Sequence, residues 1–535
     1  MKHRGIEQIK TFFDALLAPP ESASLVEGQE EEPYAAYLRQ DMPDAAELQA
    51  QRDNPPELLP RFAIVLPASG DKKARAVTLA SLNAQTYARW ELTEDPLRAQ
   101  GEFILFLQPG DTLAPHALYC FASAAQAGAD LLYCDEDIRI NGRQAAPYFK
   151  GEASLITQYS YDMLGSGVAA ALPLYRAAGG RQGAGAEDRY AYNLRLLQTC
   201  AHPLHIGQVL YTCAKEGHPA TAARRMLQGC LPKDTYAATG MFAGSFRVEH
   251  TVKTPQVAII VPNKNNMDAL RRLLESLEMH TLYQNYTILI ADEGTRDNRT
   301  LRYYDILQKN KAAAVLFGGG VSLPALLNRA AREVNADVLV FLGRDTEVIT
   351  PNWLRDLLSQ LYRRNVAAVG GKLVDARGRL LYVGGVVGLG GWVASPYAGS
   401  ADDMESLRKN RFANSIHAVS ALSLACMAVR AETFFNAGCF DESFLRDGID
   451  MELCLRLLRR DLTCVYTPYA VLRSHAPLPD LRDADQKDKV RCYDTLRPML
   501  LRGDPYYSRG YDYSCLQPTV AARPRPAIEL NERYR

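Results

Sequence analysis

Short apolar runs alternate with stretches of helical apolar periodicity through the second half of the chain. The runs predict buried strands, and apolar residues recurring every three or four positions predict the helices between them. The predicted strands cover 257–261, 286–291, 313–317 and 337–342, and the predicted helices cover 267–279, 298–309 and 323–334. Such alternation is typical of an α/β fold with a largely parallel sheet.

The same pattern occurs twice along the chain, which predicts an internal repeat. The run Phe62–Pro67 is similar to Val257–Pro262, and "GEFILFLQPGD" (101–111) is similar to "ADVLVFLGRD" (336–345). The interval from the proline to the aspartate is 44 residues in the first copy (67 to 111) and 83 in the second (262 to 345). We expect the shorter copy to lack a strand end and its acid.

Polar residues follow the predicted strand ends of the second copy. In open α/β sheets, ligands bind beyond the carboxyl ends of the strands. The candidates at this edge are Asn263, Lys264, Asn265, Asp292, Glu293, Gly343, Arg344 and Asp345. Asp345 has two interpretations, as a ligand at a binding site or as the end of a strand. The Thr350-Pro351 pair that follows predicts a helix start capped by Thr350.

Composition and charge narrow the class of protein. The chain of 535 residues is 47% apolar and 23% charged, and its 61 Lys and Arg balance its 61 Asp and Glu, which argues against a nucleic-acid-binding role. The eleven cysteines contain no C-x-x-C pair, so neither a zinc site nor a disulfide framework is indicated. Cysteine usage suits the cytoplasm. No apolar run reaches about 18 residues, so we expect no membrane span, and no signal peptide is recognisable.

The N-terminal segment has its own pattern. Apolar residues from Ile6 to Leu17 lie on one side of a predicted short helix that ends at Pro19-Pro20. This helix either docks on the body of the protein or contacts a membrane surface or a partner. Residues 21–55 are acidic and contain proline, and we interpret them as a linker.

A series of motifs resembles the bacterial family-2 glycosyltransferases that build cell-surface polysaccharides. In the second copy they are "VAIIVPNKNN" (257–266), "ILIADEG" (288–294), "FLGRDTEVITPNWL" (341–354), "AGCFDESF" (437–444), "DMELCLRLL" (450–458) and "VYTPYAVLRSH" (465–475). In the first they are "AQTYARWEL" (84–92) and "YCDEDIRINGRQAAPYFK" (133–150). The resemblance implies two tandem GT-A-type, Rossmann-like domains, each a mixed, mostly parallel sheet flanked by helices.

The expected organisation has five parts. Residues 1–55 are the N-terminal helix and linker, 56–215 a truncated domain, 216–250 a linker, 251–476 the glycosyltransferase domain and 477–535 a C-terminal extension. The resemblance implies inverting transfer of a hexose from a nucleoside-diphosphate sugar to a hydroxyl of a glycan or lipid-linked acceptor. The expected location is the cytoplasm, with the inner face of the membrane as an alternative.

The resemblance also implies roles for particular residues. Asp450 is the catalytic base, and Asp345 with His475 binds a divalent cation, Mn²⁺ or Mg²⁺. Arg344 offers an alternative positive charge for the diphosphate. The remaining substrate-binding candidates are Pro262, Asn263, Asn265, Asp292, Glu293, Asn328 and Glu452. Each also has a structural interpretation, because acids after strands cap turns and Asp450 at a helix N-terminus complements the helix dipole.

Three departures from the family pattern leave a second hypothesis open. Gly343-Arg344-Asp345 stands where the family has an acid pair, and Ser423-Leu424 stands where it tends to have Thr-Gly. The first copy keeps only Asp111 at its acid pair, and we expect it to serve as scaffold or acceptor platform. The alternative is therefore a degenerate glycosyltransferase that binds without catalysing. A sugar nucleotidyltransferase is disfavoured, because no Gly-rich basic loop follows the first strand.

Overall fold

Two mixed β-sheets, one in each half of the chain, form the framework of the protein. The computed structural model describes residues 32–56, 60–68, 71–183, 185–214, 223–402 and 411–522. The first half contains α1 (Pro33–Asp41), α2 (Ala45–Asp53), β1 (Phe62–Val65), α3 (Lys72–Asn83), β2 (Trp90–Thr93), β3 (Phe103–Phe106), β4 (Thr112–Leu113), α4 (Ala117–Ala125), β5 (Leu131–Ile140), β6 (Arg143–Tyr148), α5 (Leu155–Ser160), β7 (Val168–Ala171), α6 (Leu172–Ala177), α7 (Ala186–Thr199) and β8 (Pro203–Cys213).

A helix and a hairpin connect this half to the second, namely α8 (Ala223–Cys230), β9 (Thr235–Thr239) and β10 (Phe246–His250). The second half contains β11 (Val257–Asn263), α9 (Met267–His280), β12 (Tyr286–Asp292), α10 (Asn298–Lys309), β13 (Ala314–Phe317), α11 (Leu323–Glu333), β14 (Val338–Leu342), β15 (Thr346–Val348), α12 (Trp353–Leu361), β16 (Val366–Val374), β17 (Leu380–Tyr382), β18 (Val386–Val387), β19 (Val393–Ala394), β20 (His417–Val419), β21 (Cys426–Arg430), α13 (Ala431–Ala437), α14 (Ile449–Leu458), β22 (Thr463–Ser474) and α15 (Gln486–Arg502).

The two sheets have the same strand order apart from one strand. The first runs β2-β1-β3-β7-β5-β8-β4, and the second runs β13-β12-β11-β14-β21-β16-β22-β15. In the first sheet, the strands on the β1 side are parallel, and β7 lies antiparallel beside β3. In the second sheet, the strands on the β11 side are parallel, and β21 lies antiparallel beside β14. The predicted α/β class is confirmed, and the repeat seen in the sequence is visible as this shared order. Below, residues 56–215 are the first unit and residues 251–476 the second unit.

The second unit follows its sequence pattern closely. Every residue of β14 is buried, as expected for a central strand of a parallel sheet, and all the strands and helices predicted there form within two residues of their expected bounds. Ser322 caps α11 through its side chain and Pro324 lies in the first turn, which explains where that helix begins.

One local prediction in this unit is wrong. Thr350 does not cap a helix, because α12 begins at Trp353. The Thr350 hydroxyl instead donates to the carbonyl of Tyr469, 3.1 Å away, and accepts from the N–H of Val471 at 2.9 Å. A tertiary pairing with β22 has therefore taken the side chain that the local sequence suggested as a cap.

The expected missing strand end is a second correction. The first unit keeps β2, which pairs with β1 from Phe62 opposite Trp90 to Val65 opposite Thr93, and the acids Glu94 and Asp95 follow it. What the first unit lacks, between β2 and β3, is a helix–strand–helix segment equivalent to α10, β13 and α11. The 39-residue difference in length therefore lies beyond the strand.

Both stretches interpreted as linkers contain ordered elements. In the first, α1 packs on the first unit through buried Tyr34 and Tyr37, and the Tyr34 hydroxyl donates to Asp137 Oδ2 at 2.6 Å. In the second, the β9–β10 hairpin packs with Tyr190 through buried Phe246 and Val248. Because these two stretches are mostly acidic and polar, their sequences did not indicate that a few aromatic side chains in them are buried. The helix predicted over residues 6–17 lies outside the described residues.

Candidate active site

Asn263 and Asp292 lie side by side at the carboxyl ends of β11 and β12. They are opposite each other in the parallel register, and both are almost fully buried. Tyr304 of α10 joins them, because its hydroxyl accepts from Asn263 Nδ2 at 2.7 Å and donates to Asp292 Oδ1 at 3.0 Å. Burial raises the pKa of Tyr304 to about 12, so the phenol stays protonated and can donate. Sequence reasoning missed Tyr304, which carries no motif signal.

Asp292 and Asn265 hold the loop after β12 through backbone N–H groups. Asp292 Oδ2 accepts from the N–H groups of Gly294 and Thr295, both at 3.0 Å. Asn265 Oδ1 accepts from the N–H of Arg296 at 2.7 Å. These bonds give the predicted residues a structural task, because they fix the loop over which a ligand at this strand edge would lie. Pro262 adjoins them on β11, opposite Ala291.

Two further predicted residues connect this edge to the loop that precedes α14. Glu293 forms an ion pair with Arg446. Asn328, on α11, donates from Nδ2 to the carbonyl of Phe440 and accepts from the N–H of the same residue, each at 2.9 Å. Asn328 is 1% exposed and thus acts as a clamp between α11 and the 440–442 segment. Its side chain is engaged with protein rather than with the open edge.

The Gly343-Arg344-Asp345 turn follows β14 directly. Arg344 Nε lies 3.5 Å from Asp345 Oδ2, and both side chains are about 30% exposed. Among the described residues, neither Arg344 nor Asp345 forms a second ion pair. Gly343 donates its N–H to the carbonyl of Ala425 at 3.2 Å, and a β carbon on residue 343 would lie 3.3 Å from the Ala425 α carbon. The turn therefore presents an accessible guanidinium beside one carboxylate, next to the segment that leads into β21.

His475 does not turn its ring toward Asp345. Its Nε2 lies 2.8 Å from Glu347 Oε2, which also accepts from Arg473 at 3.1 Å, while only its backbone N–H bonds to the carbonyl of Asp345. In the described part of the chain, no three His, Cys, Asp or Glu side chains are grouped as metal ligands. A hard divalent cation needs several oxygen ligands, so Asp345 alone does not fit one, and the expected role of His475 stays a prediction.

Asp450 lies in the first turn of α14 and faces the start of β21. Its Oδ2 accepts from the N–H of Leu424 and its Oδ1 from the N–H of Met451, both at 2.9 Å. Burial raises the pKa of Asp450, and these two N–H groups offset part of that rise. The Asp450 carboxylate binds the N–H of Leu424, and the carbonyl of the next residue, Ala425, binds the N–H of Gly343. The carboxylate and the Arg344 turn therefore contact adjacent residues. A carboxyl group with a raised pKa is thus brought near the strand edge.

Glu452 pairs with protein groups in this structure, and its expected substrate-binding role stays a prediction. Both of its oxygens accept from Arg456 one turn later, with Nε at 3.0 Å, and Arg456 also donates to the carbonyl of Ala437. Glu452 is 8% exposed. The pair fixes α14 to α13, so Glu452 supports the helix that carries Asp450.

Asp488 of α15 is a further residue that sequence reasoning missed. Its carboxylate is fully buried and accepts from the N–H groups of Leu445, Arg446 and Asp447 at 2.7 to 2.9 Å. It therefore holds the loop that leads into the Asp450 helix, although it lies in the C-terminal extension. The charged sequence "DQKDK" (485–489) is typical of an exposed helix and does not predict a buried contact.

Replacing Asp488 by alanine should lower the free energy of unfolding by about 2–4 kcal/mol, because three loop N–H groups lose one buried, charged acceptor. Asp485→Ala on the same helix is the matched control. Asp485 caps α15 at an exposed position by accepting from the N–H of Lys487, so its loss should cost about 1 kcal/mol. Urea denaturation of the three proteins measures the difference, and equal losses in the two variants would contradict the clamp.

The first unit has different chemistry at the equivalent points. Arg195 of α7 donates to the carbonyl of Ala178, just as Arg456 of α14 donates to the carbonyl of Ala437. The residue six positions before Arg195 is Arg189, whereas the residue six positions before Arg456 is Asp450. A cation thus occupies the position of the proposed base. Asp111, the remaining acid of the first copy, is buried and accepts from the Tyr211 hydroxyl at 2.5 Å.

Comparison with known proteins identifies the class to which this site belongs. Residues 258–382 match the description "Glycosyl transferase family 2". The "O-antigen biosynthesis protein RfbC" of Myxococcus xanthus is 31% identical over 470 residues, which is 84% of this chain and 37% of that protein. Residues 258–382 of the second unit therefore belong to glycosyl transferase family 2, as the motifs in this segment predicted.

Another relative and two solved structures complete the comparison. "Uncharacterized protein y4gI" of Sinorhizobium fredii is 27% identical over 491 residues, covering 78% of this chain and 53% of that protein. This chain therefore spans about a third to a half of the two curated relatives. GalNAc-T7 with UDP, GalNAc and Mn²⁺ has 16% identity and a TM-score of 0.37, over 46% of this chain and 49% of that one. The mannosyltransferase PcManGT from Pyrobaculum calidifontis with GDP-Man and Mn²⁺ has 14% identity and a TM-score of 0.32, over 42% of this chain and 58% of that one.

No helix in the described part of the chain combines the length and the apolar run that crossing a bilayer requires.

Proposed function

We propose that the second unit is an inverting glycosyltransferase that moves a sugar from a nucleoside-diphosphate donor to a glycan hydroxyl, in polysaccharide assembly on the cytoplasmic side. The observation that carries the proposal is the Asp450 carboxylate beside Leu424. It is partly buried, its pKa is raised, and it lies at the same sheet edge as Asp292 and the Arg344 turn. Family membership and the O-antigen relative support the reaction class.

Asp450 would act as general base. In its ionised form it accepts the proton of the acceptor hydroxyl as the oxygen attacks the anomeric carbon from the side opposite the departing diphosphate. The bond from the anomeric carbon to the diphosphate oxygen breaks, and the configuration inverts. A raised pKa helps, because a stronger base takes the proton more readily in the transition state. The peptide N–H groups of Leu424 and Met451 fix the carboxylate in place.

Arg344 would compensate the charge that develops on the leaving diphosphate. It is accessible, and within the described residues its ion-pair partner is Asp345, which fixes the direction of the guanidinium. A planar guanidinium can donate two parallel hydrogen bonds to phosphate oxygens. Asp345 would then position Arg344 instead of holding a cation. The predicted Mn²⁺ or Mg²⁺ remains the alternative for the same charge.

The nucleoside would lie against the Asn263–Asp292 edge. Asn263 Oδ1 is buried without a hydrogen-bond partner among the described residues, and the 293–297 loop is held rigidly beside it. A rigid pocket lowers the entropic cost of binding. The first unit lacks the helix–strand–helix that flanks this edge in the second, and we propose that it no longer transfers sugar.

The direct test is to incubate the protein with a panel of nucleoside-diphosphate sugars, with and without Mn²⁺, and to measure nucleoside-diphosphate release. We expect release from at least one donor, together with calorimetric binding of the same nucleotide. A protein that neither binds nor cleaves any donor would contradict the proposal.

The pH dependence of release should have an acidic limb set by Asp450. The base must be ionised, so the rate falls as the pH drops through its raised pKa, above the ordinary Asp value of about 3.9. Since the folded pKa exceeds the unfolded one, protonation of Asp450 favours the folded state and does not unfold the protein in this window. Circular dichroism over the same pH range provides the control. A rate that stays flat below the point where Asp450 is half protonated would contradict the assignment.

A degenerate glycosyltransferase is the second candidate, and the Arg344–Asp345 and His475–Glu347 pairs favour it. Both potential metal ligands are already paired. This candidate predicts nucleotide binding without release from any donor, whereas an active enzyme predicts both.

A further inference from the structure

A cavity of about 320 Å³ lies between the two units, away from the candidate active site. Its walls come from the carboxyl edge of the first sheet, from residues 411–418 of the second unit and from residues 506–511 of the C-terminal extension. Asp292, Asp345 and Asp450 are not among its lining residues. The volume falls in the range of small-molecule sites, about 300–1,000 Å³.

Aromatic side chains are concentrated in this cavity. Nine of its 30 lining residues are Tyr or Phe, against 9% aromatic residues in the whole chain. Tyr148, Tyr161, Phe242 and Tyr397 are half-buried. Aromatic faces carry partial negative charge and attract the weakly positive C–H groups that line one face of a pyranose ring. The lining therefore suits sugar rings.

Two pairs of opposite charges line the cavity. Glu136 Oε2 accepts from Lys150 Nζ at 3.1 Å and from the N–H of Ser166 at 2.7 Å, and Arg189 Nε donates to Asp162 Oδ2 at 2.9 Å. Within the described residues, Glu136 Oε1 has no hydrogen bond and remains as an acceptor. Paired charges favour a neutral, hydroxyl-rich ligand, because an added ion would have to break a buried pair.

Polar atoms of three lining residues support the same ligand chemistry. Asp137 Oδ1, His417 Nε2 and Tyr507 Oη are buried and have no hydrogen-bond partner in the described part of the chain. Burial lowers the pKa of His417 to about 4, so its ring is neutral at neutral pH. Its Nδ1 donates to the carbonyl of Ser415 at 3.0 Å, which leaves Nε2 as an acceptor for a hydroxyl. Unpaired buried polar atoms are costly, and a ligand hydroxyl that reached them would remove that cost.

The position of the cavity explains why binding there would not lead to transfer. It lies at the carboxyl edge of the first sheet, where the equivalent of the Asp450 position holds Arg189, which lines the cavity. We infer that this cavity is a second carbohydrate site, which holds one or two sugar rings of a glycan without transferring them. The inference rests on the proposed function only in taking that glycan to be the acceptor chain of the second unit.

Glycan binding can be measured without any donor. The probes are delipidated bacterial O-polysaccharides and mono- and disaccharides, applied to the full chain by calorimetry and on an array. Ala243→Trp places a large ring at an exposed lining position, so it should block the cavity and leave the fold intact. Phe242→Ala removes a stacking ring instead. Ala46→Trp, exposed on α2, is the matched control.

We expect the wild type and Ala46→Trp to bind at least one probe with a Kd of about 1 mM or lower, and Ala243→Trp and Phe242→Ala to bind it at least about tenfold more weakly. Donor hydrolysis should be unchanged in all of them, which separates this site from the proposed catalytic one. Binding of no probe, or undiminished binding in both cavity variants, would overturn the inference.

Discussion

Asp450→Asn should lower the rate of nucleoside-diphosphate release by about 10²–10⁴-fold, the usual contribution of a general base. Asparagine has nearly the same shape and keeps one acceptor for the N–H groups of Leu424 and Met451, but it cannot take a proton. The donor should still bind, because the Asn263–Asp292 edge is untouched. The loss should therefore appear in kcat, with the calorimetric affinity for nucleotide close to that of the wild type.

Asp447→Asn is the matched control for this variant. Asp447 lies three residues before Asp450, and burial raises its pKa as well. In the part of the chain that the structure describes, its side chain forms no hydrogen bond with the β21 segment. Its loss should leave the rate within about twofold to threefold of the wild type, since surface substitutions have small effects. If Asp450→Asn turned over donor as fast as Asp447→Asn, Asp450 would not be the base.

Arg344→Gln should lower kcat by about 10²–10³-fold, the effect of removing one preorganised charge from a leaving group. If the guanidinium is the main compensating charge, EDTA should leave the wild-type rate unchanged. Added guanidinium ion should restore part of the activity of Arg344→Ala, whereas Arg344→Lys should be intermediate because ammonium lacks the planar fork.

Arg271→Gln, at an exposed position on α9, controls for the loss of one positive charge, and its rate should be unchanged. The opposite pattern would favour the metal at Asp345. In that case EDTA would abolish wild-type release, Asp345→Asn would be inactive and Arg344→Gln would be nearly as active as the wild type.

The sequence was most informative where local pattern and tertiary environment agree. The strands β11 and β14 are buried along almost their whole length, and β12 is buried from Leu289 onward, so their apolar runs were easy to recognise. The ends of these strands identified Asn263, Asp292 and Asp345 as neighbours on one edge. The order of the motifs along the chain then indicated the family. None of this required knowledge of side-chain partners.

The partners themselves could not be predicted. Tyr304, Arg446 and Asp488 reach the site from α10, a loop and the C-terminal extension, at sequence separations that no periodicity encodes. His475 was expected near Asp345 but pairs with Glu347, because β15, which carries Glu347, pairs with the end of β22 and His475 directly follows that strand. Long-range contacts of this kind decide which acids are free for chemistry.

The first unit illustrates the same limit at a larger scale. Its shorter sequence suggested a lost strand end, whereas the strand is present and the flanking helix–strand–helix is absent. The presence of Arg189 at the position of Asp450 became visible only through equivalent hydrogen bonds in the two units. The inter-unit cavity has no sequence signature, because its aromatic residues come from widely separated segments.

The most direct test of the central claim is the stereochemical course of sugar transfer by the second unit. Proton NMR of a reaction with an active donor follows the anomeric proton from donor to product. The account predicts a product of inverted anomeric configuration in the wild type and no product in Asp450→Asn. A product of retained configuration, or equal product formation in Asp450→Asn, would contradict it.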